Sequence, residues 1–300
     1  MSDPHVLVLG NANVDLVLGE IDGWPAVGTE IMVDRAETRP GGSAGNTALA
    51  LAGMGVPHLF LATSGSDMNG DWLRAQFPTA TTGWAVLDSP TTLTVGIVHK
   101  GGDRAFITTP GHLERARADD LIARIPKAAA DNGWAILSGT FLMPDLSDNG
   151  EALLDALTAK GWRTAIDPGW PPQGWAAATR QRMAGWMAKA DASLINAEEA
   201  RALAQSDDIE RAVAMLANGP ARNRLLVVKR GPHGASAIRD GAYHHAPSPA
   251  VDVIDTVGAG DTFNAAFLAA LTAGAAVGDA LTRGAETAAR AISTFPRSYR

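Results

Sequence analysis

One stretch constrains this chain more than any other. Val253–Leu271 reads Val-Ile-Asp-Thr-Val-Gly-Ala-Gly-Asp-Thr-Phe-Asn-Ala-Ala-Phe-Leu-Ala-Ala-Leu. Val253 and Ile254 end an extended approach, and Gly258-Ala259-Gly260 makes a tight turn. From Asp261 onward Phe263, Ala266, Phe267, Ala270 and Leu271 recur at helical spacing, so a helix is predicted to start there. A glycine turn feeding a helix N-terminus points backbone N–H groups one way, and the helix dipole adds partial positive charge. Such a site favours an anion. Asp261 at that end either caps the helix or faces whatever binds beside the anion. Helix-end charge predicts that it is ionised at neutral pH.

The rest of the chain supplies the scaffold. Val6-Leu7-Val8-Leu9 reads as a short buried strand ending at Gly10, and Asn11, Asn13 and Asp15 follow it. Ligands gather at the carboxyl ends of strands in open α/β sheets, which places Asn13 and Asp15 for a ligand; a plain Asx turn is the alternative. Further strands are predicted at His58–Leu61, Trp134–Leu137, Thr164–Ile166, Ser193–Ile195 and Leu225–Val228. Helical patterns lie between them, as at Glu151–Lys160 and Ile209–Ala217. This rhythm predicts an α/β fold with a mainly parallel central sheet and helices on both faces.

Two stretches break the rhythm. Val17, Ile31 and Val33 alternate with polar residues within 16–39. Thr92–His99 and Arg104–Thr109 alternate around a predicted hairpin turn at Gly101-Gly102-Asp103. Together they suggest a small sheet over the mouth of the main one. Between them lies Pro40-Gly41-Gly42-Ser43-Ala44-Gly45-Asn46, followed by a helix to Gly55. Gly41 and Gly42 allow close backbone approach to a ligand, and Asn46 offers a donor and an acceptor; a flexible loop is the alternative. Ile195-Asn196-Ala197-Glu198-Glu199 leaves a strand and enters a helix, which also fits a simple Asn cap with an acidic first turn. Val227-Val228-Lys229-Arg230-Gly231-Pro232-His233-Gly234 leaves a strand through a glycine turn. Of the tryptophans around Asp167-Pro168-Gly169, most read as packing residues, with stacking open for Trp170.

Composition narrows the function. The chain has 300 residues and a net charge of −7, which argues against nonspecific nucleic-acid or anionic-membrane binding. It has no cysteine, so no disulfide and no thiolate metal site. With no basic n-region and no long apolar run, a soluble cytoplasmic protein is expected. There is no Walker A motif and no protein-kinase catalytic-loop pattern.

The run Asp255–Ala266 resembles the C-terminal signature of the ribokinase-like (PfkB) carbohydrate kinases. Gly41-Gly42 through Asn46 to Gly55 and Gly65 resembles the N-terminal signature of the same family. That resemblance implies a single ribokinase-like domain over residues 1–300, with a small β lid from about 16–39 and 92–109. It implies ATP-dependent phosphorylation of a hydroxyl on a sugar or sugar-like molecule. Asp261 would be the catalytic base, with an anion hole from the amides of Val257, Gly258, Ala259 and Gly260. Asn13, Asp15, Gly41, Gly42, Asn46 and Arg104 would hold the acceptor. Asn196, Lys229, Gly231, Gly234, Thr256, Gly258 and Gly260 would lie at the nucleotide. Asn196 and Glu199 would hold Mg²⁺ through water. A monovalent cation, K⁺, is also implied, yet family members complete its site with a longer loop than Arg297-Ser298-Tyr299-Arg300. His112 stands where many members have Ala-Asn. A nucleoside kinase is the alternative activity, and a noncatalytic sugar- or nucleotide-binding protein is a third. An exposed face on the lid would suit a homodimer.

Overall fold

The computed structural model describes residues 5–78, 83–100, 104–221 and 224–299. The turn at Gly101–Asp103 and the side chain of Arg104 lie outside the described part. Fourteen strands are present among the described residues. They are β1 Val6–Gly10, β2 Asn13–Ile21, β3 Arg35–Gly41, β4 His58–Leu61, β5 Thr63–Gly65, β6 Ala85–Leu87 and β7 Leu93–His99. Then follow β8 Arg104–Thr108, β9 Trp134–Ser138, β10 Arg163–Asp167, β11 Ala192–Asn196, β12 Leu225–Lys229, β13 Ala235–Arg239 and β14 Ala242–Ala246.

Eight strands form the main sheet, in the order β14-β13-β12-β11-β10-β9-β1-β4. From β4 to β12 every pairing is parallel, and β13 and β14 add an antiparallel edge. The parallel strands are apolar runs because both faces are covered. Their side chains alternate between two cores. Leu7, Leu9, Ala135, Leu137, Leu226 and Val228 face one; Val6, Val8, Trp134, Ile136, Leu225 and Val227 face the other. The helices Gly150–Ala159, Ala177–Lys189, Ala197–Ala204 and Ile209–Asn218 cover the first face, and Ser43–Met54, Ala259–Thr272 and Val277–Ile292 cover the second. The expected ribokinase-like doubly covered sheet is therefore the one observed.

Parallel connectivity brings the carboxyl ends of the strands to one edge. Gly10, Ser138 and Asp167 are the last residues of β1, β9 and β10 and lie in register. Asn196 and Lys229 end β11 and β12 and are also paired in register. Functional side chains thus come from strand ends far apart in sequence.

A separate four-stranded sheet has the order β3-β2-β7-β8, with β2 parallel to β7 and antiparallel to β3. It draws on both stretches that broke the α/β rhythm. Ile31 and Val33 are not strand residues, however: 22–34 is an irregular loop in which Trp24, Val27 and Met32 are exposed. Their apparent alternation meets no neighbouring strand, and period-two spacing alone does not make a strand without pairing. Residues 251–254 are also irregular and exposed rather than extended in a sheet. Of the tryptophans, Trp162 and Trp186 are core residues and Trp170 is 57% exposed.

The helix Ala259–Thr272 begins two residues earlier than its apolar spacing suggested. It is anchored by Phe263 and Phe267, whose rings stack at 5.8 Å. Phe267 is fully buried. Phe267→Ala is expected to cost about 3–5 kcal/mol, read as a lower urea midpoint at unchanged slope.

Candidate active site

The turn before the helix Ala259–Thr272 is shaped by Gly258, whose φ of +73° is a left-handed conformation that favours glycine. A β-carbon there would also come within 3.1 Å of Asn46 and of the Arg297 guanidinium. The Thr262 amide closes the first helical turn onto the Gly258 carbonyl at 2.9 Å. Two of the four amides expected to serve an anion are engaged within the turn. Val257 N–H donates to Asp255 Oδ1 at 3.0 Å, and Ala259 N–H donates to the Thr256 carbonyl at 3.2 Å.

Asp261 is the third residue of the helix and does not cap it; the cap position is Gly258. Its Oδ2 instead accepts from Asn46 Nδ2 at 2.9 Å. The helix bearing Asn46 starts at Ser43, so the two glycine-rich segments meet through this pair. The helix-end effect that favours an ionised Asp261 is opposed by its surroundings. Burial, then the nearby Asp167 charge, push its carboxyl up to about 7, against the pull of Asn46, Lys229 and Arg297. A carboxyl poised near neutrality is a far better proton acceptor than one near 4.

Asp167 is the group that sequence reasoning missed. Its Oδ2 accepts from Lys229 Nζ at 2.6 Å and from Asn264 Nδ2, and both acid and base are largely buried. Lys229 also donates to Asn264 Oδ1 at 3.2 Å. Burial alone would lower the Lys229 ammonium; Asp167 and Glu199 more than offset that and hold it charged. The ammonium lies against the turn, 3.3 Å from where a β-carbon on Gly260 would sit.

Asn196 and Glu199 form a reciprocal capping box. Glu199 N–H donates to Asn196 Oδ1 and Asn196 N–H donates to Glu199 Oε2, each at 2.8 Å. The plain capping alternative is thus present in the structure. Yet Glu199 is buried, and burial together with Asp167 pushes its carboxyl up to about 7. Glu199 is thereby electrically part of the same cluster.

On the opposite side, Asn13 and Asp15 project from one face of β2. Asn13 Nδ2 donates to Asp15 Oδ1 at 2.6 Å and to Thr94 Oγ1 at 3.1 Å. Burial pushes Asp15 up to about 6, with Arg39 and Asn13 pulling it back. Gly41 and Gly42 fit tightly here. A β-carbon on Gly41 would strike the Asp15 carboxylate at 2.3 Å, and one on Gly42 would strike the Asn11 carbonyl at 2.6 Å. His112 stands apart as a buried packing residue. Its Nδ1 accepts from Thr92 N–H at 2.9 Å, and burial lowers its pKa to about 4.

A cleft of about 1020 Å³ opens beyond Asn196 and Lys229, walled by Trp170, Arg201, Gly231 and His233. Gly231 is at its surface, whereas Gly234 lies against the Ala246 carbonyl between strands. Thr256 is exposed on the turn beside Asp255. Among the described residues no three His, Asp or Glu side chains gather as a ready metal cage.

A mainly parallel sheet covered on both faces, with a glycine turn and a buried carboxyl beside its carboxyl edge and a second small sheet, is the ribokinase-like fold. The chain belongs to the pfkB family of carbohydrate kinases, whose description matches residues 3–295. It is 29% identical over 276 residues to a fructokinase of Klebsiella pneumoniae, covering 89% of this chain and 84% of that one. Its fold is like that of Arabidopsis thaliana ribokinase complexed with ribose and ATP (TM-score 0.78, 22% identity, 97% and 93% of the two chains). It is also like that of adenosine kinase from Sinorhizobium meliloti (TM-score 0.81, 22% identity, 99% and 96%).

The Asp261 carboxyl makes a pH prediction. With Asp261 as the expected base, active only in its ionised form, kcat/KM would rise with pH up to the pKa and flatten above it. The acid limb is expected near pH 7, where Asp261 sits. It is measured by initial rates between pH 5 and 9, and a limb near 4 would contradict the burial argument.

Proposed function

We propose that this protein moves the γ-phosphoryl group of ATP onto a hydroxyl of a sugar or sugar-like acceptor, with Asp261 taking the hydroxyl proton. The observation that carries this reading is the Asp261–Asn46 pair. It joins a poised base to the segment that also bears the acceptor-side glycines. Asn13, Asp15, Gly41 and Gly42 hold the acceptor, and Asn46 fixes the carboxylate that receives its proton. The amides of Gly258 and Gly260 serve the transferred group, since those of Val257 and Ala259 are engaged in the turn. Lys229 adds positive charge beside them, as phosphoryl transfer requires.

ATP would lie in the cleft along Asn196, Lys229 and Gly231. The donor set suits Mg²⁺ held through water and phosphate rather than in a protein cage. Glu199 and Asn196 would hold its waters, and the ion would neutralise phosphate charge. For K⁺, the two arginines beside Asp255 speak for a kinase that turns over without it.

The whole chain acts as one domain, and the four-stranded sheet acts as its lid, excluding water and limiting wasteful ATP hydrolysis. Its edge strand β8, with Phe106 and Ile107 more than half exposed, would suit a homodimer, which light scattering would read as twice the chain mass. No helix among the described residues is long and apolar enough to cross a membrane. ATP use and the cysteine-free chain suit the cytoplasm, which fractionation would check.

ADP release against a panel of sugars and nucleosides tests the reading. A nucleoside in place of a sugar would shift the acceptor class, and no release with any acceptor would leave a binding protein. Asp261→Asn is near isosteric and keeps the fold. It is expected to lower kcat by about 10²–10⁴ with little change in ATP binding. Near-normal turnover by that variant would remove Asp261 from the mechanism.

A further inference from the structure

Two arginines from distant parts of the chain converge on one carboxylate beside the anion turn. Arg39 Nη1 lies 2.6 Å and Arg297 Nη2 3.0 Å from the same oxygen, Asp255 Oδ2. All three side chains are at most one fifth exposed. Burial alone would raise the Asp255 carboxyl. The Val257 amide and the two guanidiniums outweigh it and hold the group below its ordinary value. One anion stands between two cations here, and Asp15 and Asp261 lie near enough to feel Arg39 and Arg297 respectively.

Arg297 is the one that reaches the turn itself. Its other terminal nitrogen, Nη1, comes 3.1 Å from a β-carbon placed on Gly258. Lys229 Nζ lies against Gly260, on the same turn. The turn is therefore flanked by two cations, each steadied by a carboxylate: Lys229 by Asp167 and Arg297 by Asp255. The arrangement is built rather than incidental. The tail is pinned directly after Arg297. Ser298 N–H donates to Thr294 Oγ1 at 2.9 Å, and the Tyr299 ring packs on Gly53 of the helix Ser43–Met54. The Ile254 and Asp255 amides both donate to the Ile292 carbonyl, which fastens the turn to the same tail.

We propose that Arg297 is a catalytic residue of the transfer step, its guanidinium donating to the oxygens of the phosphoryl group as that group passes the Gly258–Gly260 turn. Asp255 and Arg39 are its positioning residues. A planar guanidinium matches phosphoryl oxygens, and one already held by Asp255 and Tyr299 need not be ordered during the reaction. During transfer the bond from the γ-phosphorus to the ADP oxygen breaks and the bond to the acceptor oxygen forms. The acceptor proton goes to Asp261, and Arg297 neither gives nor takes a proton. The assignment rests on the kinase reading above, and its test separates the two.

Arg297→Met removes the guanidinium while keeping length and apolar bulk. It is expected to lower kcat by about 10²–10³ with both substrates saturating, and to change the KM for ATP by less than about threefold. Added guanidinium ion should restore part of the rate, which a merely structural tail contact would not allow. A binding readout stands beside it. ADP with aluminium fluoride, a mimic of the phosphoryl in flight, should raise the wild-type melting temperature beyond ADP alone. Arg297→Met should lose that extra rise and keep the rise due to ADP. Should Arg297→Met fold poorly, Arg297→Lys carries the same comparison, because an ammonium keeps charge without the planar fork. A variant kcat within threefold of wild type, or an equal extra rise with aluminium fluoride, overturns the role of Arg297 and leaves the kinase reading intact. A wild type with neither turnover on the panel nor an extra rise overturns both.

Discussion

The ion pair between Lys229 and Asp167 sits where the main sheet, the helix Ala259–Thr272 and the cleft meet. Its partners end β12 and β10, on either side of β11, and Asn264 of the helix bonds to both. Charges this well buried persist only as a pair, and deleting one partner of such a pair costs about 3–5 kcal/mol. The pair therefore locks two strand ends and a helix start at a single relative position. It also sets the electrical conditions around it. The Asp167 charge is part of what lifts both Glu199 and Asp261 toward neutrality, and Lys229 works against that rise in each. The two carboxyls are thus tuned by a contact that neither makes.

What was legible in the sequence was what local pattern encodes. The five later parallel strands announced themselves as short apolar runs, because burial on both faces leaves no polar position. The antiparallel β13 and β14 did not, since Ser236, His244 and His245 interrupt the apolar run at an edge. Asp167 follows the predicted strand residue Ile166 directly. The rule that drew attention to Asn13 and Asp15, polar groups at a strand's carboxyl end, would have found it as well. Arg39 and Arg297 carried no such signal. They meet Asp255 from 216 and 42 positions away, and only the folded chain brings them together. The upward pull on the Asp261 carboxyl was not legible for a related reason. A helix terminus is a local feature, whereas burial and the Asp167 charge arise from tertiary packing.

Asn196 and Glu199 show that a structural and a chemical reading of the same residues need not compete. The capping box engages one oxygen of each side chain with backbone. It orients the helix Ala197–Ala204 and at the same time fixes where the remaining polar atom of Asn196 stands at the rim of the cleft, with Glu199 buried behind it. Rigid orientation of this sort is what a binding site needs from its scaffold.

The passage of the chain between its two sheets is very short. Only Asn11 and Ala12 separate β1 from β2, and only Gly42 separates β3 from the helix Ser43–Met54. Asn13 and Asp15 therefore belong mechanically to the small sheet, whereas Asp261 and Lys229 belong to the large one. The chain crosses again through 88–92 before β7 and 109–110 after β8, so any rotation of one sheet against the other pivots on four short passages and carries Asn13 and Asp15 with it. On the proposal that Asp261 is the base and Asn13 and Asp15 hold the acceptor, the distance between acceptor oxygen and base would be a coordinate of the whole molecule rather than of a pocket. Proton transfer would be in reach at one setting of that angle, so chemistry and closure would be a single event.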